Sequence, residues 1–188
     1  FHDNSFWRDA LALSWQLQTI TGATDILNSL PAAAAKAGIS AITRDHQATA
    51  PRLVNRAGSD AIEAFFTFTT NAAHCRGILR LTADDNHPDH YRAWTFFTAI
   101  DELIGFEEKT ERNRPTGQSY SRDFRGPNWL DKRLAAASFE NHDPAVLVVG
   151  GGQAGLSIAA RLTQLGIDTL IVDKNSRIGD NWRNRYHA

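Results

Sequence analysis

The most informative run in the chain is Ala145-Val-Leu-Val-Val-Gly150-Gly-Gly-Gln-Ala-Gly155. Its apolar, mostly β-branched residues predict a buried strand, and Gly150, Gly152 and Gly155 have G-x-G-x-x-G spacing. The first glycine permits a tight turn, the second lets backbone N–H groups approach a pyrophosphate, and the third brings the following helix close to the strand. The run therefore predicts a strand, a glycine turn and the start of a helix.

The residues after the glycines predict the rest of a βαβ unit. Ile158, Leu162 and Leu165 recur at helical spacing, and Gly166 follows where a helix would stop. A second buried strand, Thr169-Leu-Ile-Val-Asp173, then ends in a carboxylate. A carboxylate at this place accepts hydrogen bonds from ribose hydroxyls and repels a 2′-phosphate. The order of elements predicts a dinucleotide site that suits FAD or NAD better than NADP, the alternative being glycines that merely form a tight turn.

Three motifs together resemble the flavin-containing monooxygenases and their Baeyer-Villiger relatives. They are Gly150-Gly-Gly-Gln-Ala-Gly155, Val172-Asp-Lys174 and Gly179-Asp-Asn-Trp182-Arg183-Asn-Arg-Tyr186. The resemblance implies that the unit binds FAD and contains no catalytic residue. The cofactor-binding positions that it implies are Gly150, Gly152, Gln153, Ala154, Gly155, Asp173, Lys174, Asn181, Trp182 and Arg183. A Trp-Arg pair is also common at a structural corner, so contact of the last positions with the cofactor is open.

The resemblance also implies an activity. Such enzymes use FAD with NADPH as co-substrate and insert one oxygen atom from O2 into a small organic substrate. The second glycine fingerprint, which serves NADPH, and the F-x-G-x-x-x-H signature are absent from these residues. Two alternatives remain: a non-catalytic module that dimerises or binds a small molecule, and a flavin or NAD oxidoreductase without oxygenation, against which the Trp182-Arg183 pair argues.

The size of the chain indicates more than one domain. Its 188 residues begin at Phe1 and contain no methionine, and two strands with one helix are too few for a doubly wound sheet. We expect a piece of a longer polypeptide with three segments. They are an α+β domain at 1–105, a linker with a short helix at 106–143, and the first βαβ unit of a FAD-binding Rossmann domain at 144–188.

The charge and composition of the chain limit the classes of binding partner and the compartment that we expect. The formal net charge is −1, so no electrostatic field would gather nucleic acid or an anionic membrane. The single cysteine, Cys75, excludes an internal disulfide framework and is interpreted as a small residue packed in a strand. The sequence contains no run of about 18 apolar residues, so no membrane-spanning helix is predicted. The expected protein is cytoplasmic.

Residues 3–37 predict two helices. Phe6, Ala10, Leu13 and Leu17 are spaced by four, three and four residues, which is typical of an amphipathic helix. The second helix is expected to be capped at Thr24 or Asp25, to break or restart at Pro31, and to end at Gly38.

Four aromatic and β-branched runs after Gly38 predict an antiparallel meander. They are Pro51–Arg56, Asp60–Thr69, His74–Thr82 and His90–Ile100. Helices followed by such strands resemble the α+β cone of the nuclear transport factor 2 type, also called SnoaL-like, in which helices pack on a curved antiparallel sheet. The resemblance covers residues 1–105 and rests on the order of elements, and it is compatible with a homodimer through this domain.

Two clusters in these strands leave alternatives open. Six aromatics either line a ligand cavity or fill a core or dimer interface, and the second interpretation is favoured: Phe65, Phe66, Phe68, Trp94, Phe96 and Phe97. The run Asp84-Asp-Asn-His-Pro-Asp-His90 contains metal-ligand types, but it has the composition of a hairpin loop, so no metal is predicted.

The polar segment 106–143 predicts a connector. Within it, Asn128 is expected to cap a helix through Ser138, with Trp129 and Leu130 pinning the linker to one domain. Its basic residues are interspersed with acids, which favours a solvated face over a phosphate site.

Overall fold

The structure, a computed structural model, describes residues 1–84, 87–110, 113–117 and 125–186, and only the backbone of Pro88. It divides into two compact units, Phe1–Gly105 and Phe106–Ala188. No helix in the described part of the chain is long and apolar enough to cross a membrane.

The first unit is a seven-stranded mixed sheet with one helix. Its elements are β1 Phe6–Ala10, β2 Leu17–Thr21, α1 Ala23–Ala37, β3 Ser40–Arg44, β4 Arg52–Arg56, β5 Ser59–Thr69, β6 Ala73–Asp84 and β7 His87–Leu103. The strand order is β2-β1-β7-β6-β5-β3, and β4 also pairs with β5. All neighbours are antiparallel except β1 and β7, which are parallel. The predicted meander is confirmed, and β3 is a strand that the sequence did not predict.

The prediction of a helix over Phe6–Leu17 is wrong, because these residues form β1, a loop and the start of β2. Alternate residues of β1 are buried, namely Trp7 and Asp9. The carboxylate of Asp9 accepts hydrogen bonds from Thr98 Oγ1 at 2.7 Å and from the backbone N–H of Ser14 at 2.8 Å. These bonds hold the loop back against the sheet, so tertiary contacts override the local helical spacing.

Helix α1 runs through Pro31 without a break, so the predicted break is also wrong. Its N-cap is Gly22 and no side chain caps it, in contrast to the predicted cap at Thr24 or Asp25. Ile26 is fully buried against the sheet, and Leu30 packs on the same core. Ala33 and Ala37, after Pro31, also pack against this core, so the one hydrogen bond that proline removes does not end the helix. Gly38 ends the helix as predicted.

The core of the first unit lies between α1 and one face of the sheet. Its buried members are Trp7, Ala12, Leu13, Ile26, Phe68, Ala73 and Cys75. The ring of Phe66 stacks on Phe68 and on Phe96, with centroids 5.8 and 5.6 Å away. These three aromatics therefore belong to the core side. Phe65 and Phe97 pair with Ile78 on the opposite face, and Trp94 lines a small polar cavity of about 200 Å³.

The second unit contains α2 Trp129–Ser138, β8 Val146–Val149, α3 Gln153–Gln164, β9 Thr169–Val172 and α4 Asp180–Arg183. Asn128 and Asp131 form a capping box at the start of α2, as the sequence led us to expect for Asn128. The pinning role predicted for Trp129 and Leu130 is wrong: these side chains are 71% and 53% exposed, and Arg133 lies over the indole ring instead.

Candidate functional site

The candidate site lies where the parallel strands β8 and β9 end. Val149 pairs with Val172, and the backbone N–H of Gly150 donates to the carbonyl of Val172 at 2.7 Å. The glycine turn therefore begins beside the end of β9. Ligands of open parallel sheets bind at this edge, because the carboxyl ends of the strands and the loops that follow meet there.

Two glycines have the geometry that the fingerprint requires. Gly150 has φ of 103°, a backbone conformation that side chains other than glycine rarely adopt. A Cβ on Gly155 would overlap the carbonyl oxygen of Gly150 and press on Val148 Cγ1. The first position thus makes the turn and the third permits close approach of α3 to β8, as predicted.

Gly152 begins α3 and leaves its surface open. It is the N-cap of the helix, and no side chain accepts a hydrogen bond there. Among the described residues, a Cβ added at this position would meet only Asn181 Nδ2, at 3.4 Å. The first-turn N–H groups of a helix have no intrahelical acceptor and carry positive partial charge. The start of α3 is therefore suited to a phosphate group that approaches Gly152.

Asp173 follows β9 directly and bonds to the glycine turn. Its Oδ1 accepts from the N–H of Asn175 at 2.7 Å, and its Oδ2 accepts from the N–H of Gly151 at 2.6 Å. These two backbone hydrogen bonds lower the pKa of Asp173, the bond from Asn175 contributing most. The side chain is exposed and ionised at neutral pH, so it remains an acceptor for hydroxyl groups.

A cavity of about 410 Å³ opens beside this carboxylate. Its lining consists of Val149, Gly150, Val172, Asp173 and Lys174. Val149 is 81% exposed although it lies in a strand. The cavity thus combines apolar strand ends with one carboxylate and one ammonium group.

The last short helix, α4, is organised by Asp180, a buried carboxylate. Its Oδ1 lies 3.1 Å from Arg177 and 3.0 Å from Arg183, and its Oδ2 accepts from Ser176 Oγ at 3.3 Å. Burial raises the pKa of Asp180, but the hydrogen bonds from Arg177 and Arg183 outweigh this effect and lower it. Arg183 also donates to the carbonyl of Ile178. Its guanidinium therefore contacts its own helix and the preceding turn.

The structure brings some of the sequence-predicted positions together. Asn181 lies beside Gly152, and Lys174 lines the same cavity as Asp173. Gln153 and Ala154 are exposed in the first turn of α3, whereas Trp182 is half-buried. Arg183 is directed to Asp180.

Two residues of the site were not assigned by sequence reasoning. Gly151 donates to Asp173, and Asp180 binds Arg177 and Arg183. Arg177, Asp180 and Arg183 follow one another at intervals of three residues, and this spacing was the available signal for the second of these. No local pattern reveals the first, because its partner lies 22 residues away.

A metal site finds no support in the described residues, since no three His, Cys, Asp or Glu side chains there could hold an ion. The acidic run joins the antiparallel strands β6 and β7 as predicted, but Asp84 belongs to β6 and residues 87–89 belong to β7, so the predicted loop is too long. Asp84 also lies 2.6 Å from Arg92. Asp85 and Asn86 of that run lie outside the described residues.

Comparison with known proteins agrees with this geometry. Residues 148–187 match a family of NAD(P)-binding Rossmann-like domains. A stretch of 47 residues, 25% of the chain, is 53% identical to an uncharacterized CzcO-like oxidoreductase of Geobacillus kaustophilus, strain HTA426. The aligned stretch covers 14% of that relative's length. Residues 148–187 are therefore similar to a nucleotide-binding Rossmann-like domain, and a quarter of the chain is similar to part of an oxidoreductase.

Proposed function

We propose that this chain anchors the adenosine diphosphate part of FAD in an NADPH-using monooxygenase, which inserts one oxygen atom from O2 into a small organic substrate. The observation that carries the proposal is the position of Asp173. Its ionised carboxylate bonds to Gly151 within the glycine turn and lines the cavity at the ends of β8 and β9. The glycine turn thus brings together Asp173, the proposed acceptor for the ribose hydroxyls, and the uncapped start of α3 at Gly152.

Different residues at this edge of the sheet would bind different parts of the nucleotide. The open surface at Gly152 and the first-turn amides of α3 would hold the pyrophosphate. Asp173 would accept hydrogen bonds from the adenosine ribose, and its negative charge disfavours a 2′-phosphate. Lys174 and the apolar ends of the strands would border the adenine. Asn181, beside Gly152, would donate to the phosphates.

FAD would supply the redox chemistry, while these residues bind and orient its nucleotide end. The similarity to an oxidoreductase supports redox chemistry in general. Oxygen insertion rests on the resemblance of the Gly179–Arg183 run to the flavin monooxygenases. We place the NADPH site, like the oxygen chemistry, outside these residues.

For the first unit we keep the proposal of a cone of the nuclear transport factor 2 type that forms a homodimer. One helix on one face of the sheet and the antiparallel β5–β6–β7 meander support it. Sedimentation velocity of the whole chain tests the dimer, and a single species with the mass of one chain over a hundredfold range of concentration would contradict it.

The experiment for the enzyme is an absorbance spectrum of the complete natural polypeptide, followed by addition of NADPH in air. Bound yellow flavin that bleaches and reoxidises is expected. Oxygenation is then distinguished from simple oxidation by 18O2 labelling of products from a panel of ketones, amines and sulfides. A colourless protein that takes up no FAD would contradict the cofactor assignment, and reoxidation without label in any product would contradict oxygen insertion.

A further inference from the structure

Glu63 is a buried carboxylate surrounded by three arginines, on the sheet face opposite the core of the first unit. Its side chain is 2% exposed. Oε1 lies 3.3 Å from Arg52 and 3.3 Å from Arg56, and Oε2 lies 2.7 Å from Arg80. The arginines come from β4 and β6, the two strands that flank β5 at this point. We call these four residues the arginine cluster.

The arginine cluster carries surplus positive charge. Glu63 is ionised at neutral pH, since the guanidiniums lower its pKa from 4.5 to about 2 against the opposing effect of burial. Three guanidiniums against one carboxylate leave two positive charges. Within the described residues none of the three arginines pairs with a second carboxylate.

The guanidiniums also keep donors available at the surface. Arg52 contacts Glu63 through one nitrogen, whereas Arg56 and Arg80 each use Nε and one terminal nitrogen. Each guanidinium has five N–H donors in a fixed plane. The three side chains are 47%, 45% and 27% exposed. Glu63 therefore holds three partly exposed guanidiniums near one another while leaving part of each open to solvent.

We propose that the arginine cluster is a binding site for a phosphate-type dianion. Two negative charges balance the surplus, and the planar donors of arginine suit phosphate oxygens, which accept paired hydrogen bonds. Glu63 is the positioning residue and the three arginines are the ligands. The source of the dianion is either free phosphate or the phosphoryl group of a small ester.

Calorimetric titration of the whole chain with inorganic phosphate, at constant ionic strength set with chloride, tests the proposal. The titration is made in a Gly152→Leu background, so that the start of α3 does not contribute. We expect saturable binding of one phosphate per chain. Arg56→Gln should weaken it about tenfold, the effect of losing a charged hydrogen-bond donor. Arg52→Gln, which removes a single contact with Glu63, provides a second variant with less risk to folding.

Arg8→Gln is the matched control. Arg8 is exposed on the same sheet face, where it donates to Thr19 Oγ1 and contacts no carboxylate among the described residues. It should leave phosphate binding unchanged. A parallel titration with glycerol 3-phosphate identifies the source: tighter binding of the ester indicates a phosphoryl ester, and tighter binding of phosphate indicates the free ion. Absence of saturable binding for both, or equal affinity in the Arg52, Arg56 and Arg8 variants, would overturn the proposal.

Discussion

The carboxylate of Asp173 accepts a 2.6 Å hydrogen bond from the backbone N–H of Gly151, 22 residues earlier in the chain. This bond joins the end of β9 to the glycine turn after β8. One ionised side chain thus fixes the turn and presents an acceptor at its surface. Because the proposed nucleotide site depends on both roles, Asp173 is the residue where binding and local structure are coupled.

Asp173→Asn should weaken the binding of ADP about tenfold, since an amide loses the charged acceptor for the ribose hydroxyls. It should also raise the affinity for 2′,5′-ADP relative to ADP, because the repulsion of a 2′-phosphate disappears. Titration calorimetry with both nucleotides measures the ratio. Asp168→Asn is the control, since that exposed carboxylate bonds to His142 at a different place. An unchanged ratio would exclude Asp173 from the ribose site.

The pH dependence of the same group has a defined sign. The pKa of Asp173 is lowered in the folded state, so its contribution to stability is present above the ordinary carboxyl pKa. That contribution is lost as the pH falls through the lowered folded value. Comparing urea unfolding of wild type and Asp173→Asn should therefore give a difference at pH 7 that disappears at the acid end. A difference that grows as the pH falls would contradict the hydrogen-bond assignment.

Gly155→Ala should destabilise the second unit by about 1–3 kcal/mol, because the added methyl group overlaps the Gly150 carbonyl and forces the backbone apart. Gly151→Ala is the matched control in the same turn. Its Cβ would lie 3.5 Å from Asp173 Oδ2, an ordinary contact, so little change is expected. Chemical denaturation followed by circular dichroism measures both. Equal stability of the two variants would argue against close packing of α3 on β8.

Glu63→Gln should destabilise the first unit by about 2 kcal/mol, since it leaves three guanidiniums around a neutral group and the partial exposure of the arginines screens the loss. The pKa of Glu63 is depressed from 4.5 to about 2, so the stabilisation is present above pH 4.5 and is lost between pH 4.5 and about 2. The midpoint of denaturant unfolding, measured as a function of pH for wild type and variant, tests this. Asp101→Asn removes the carboxylate of an exposed ion pair and should change the free energy of unfolding little. An equally small effect of Glu63→Gln would contradict the stabilising role of Glu63.

Cys75 should not react with thiol reagents in the folded protein. It is 2% exposed in β6, and burial raises the pKa of its thiol to about 11, so little thiolate exists at neutral pH. Labelling with a disulfide reagent should be slow in buffer and reach one equivalent per chain in concentrated urea. Rapid labelling without denaturant would show that Cys75 is not packed in the core.

Local sequence patterns were sufficient to predict the βαβ unit and the antiparallel meander. The glycine spacing, the apolar run Val146–Val149 and the turn residues between β5, β6 and β7 all act over a few neighbouring residues. The positions proposed to face the ligand, Gly152 and Asp173, follow from the same spacing, because the ends of the strands fix where the next residue lies.

Long-range contacts explain what the sequence did not predict. The spacing of Phe6, Ala10 and Leu13 is typical of a helix. The segment instead forms a strand in which Asp9 is buried and accepts a hydrogen bond from Thr98, 89 residues away. A charged residue at an inward position is not recognisable as strand core until that partner is known. Leu11, with φ of 70°, further separates this loop from a helix. The bond between Gly151 and Asp173 was unpredictable for the same reason.

The most direct test of the nucleotide site compares FAD retention by the complete natural polypeptide and its Gly152→Leu variant. The backbone at Gly152, with φ of −80° and ψ of −170°, accepts any residue, and in the part of the chain that the structure describes the added Cβ would meet only Asn181 Nδ2. The variant should therefore fold and melt like wild-type protein from which FAD has been removed, while its side chain fills the space proposed for the pyrophosphate. We predict yellow wild-type protein and a colourless, folded variant. A variant that retains FAD with unchanged affinity would contradict the proposed site.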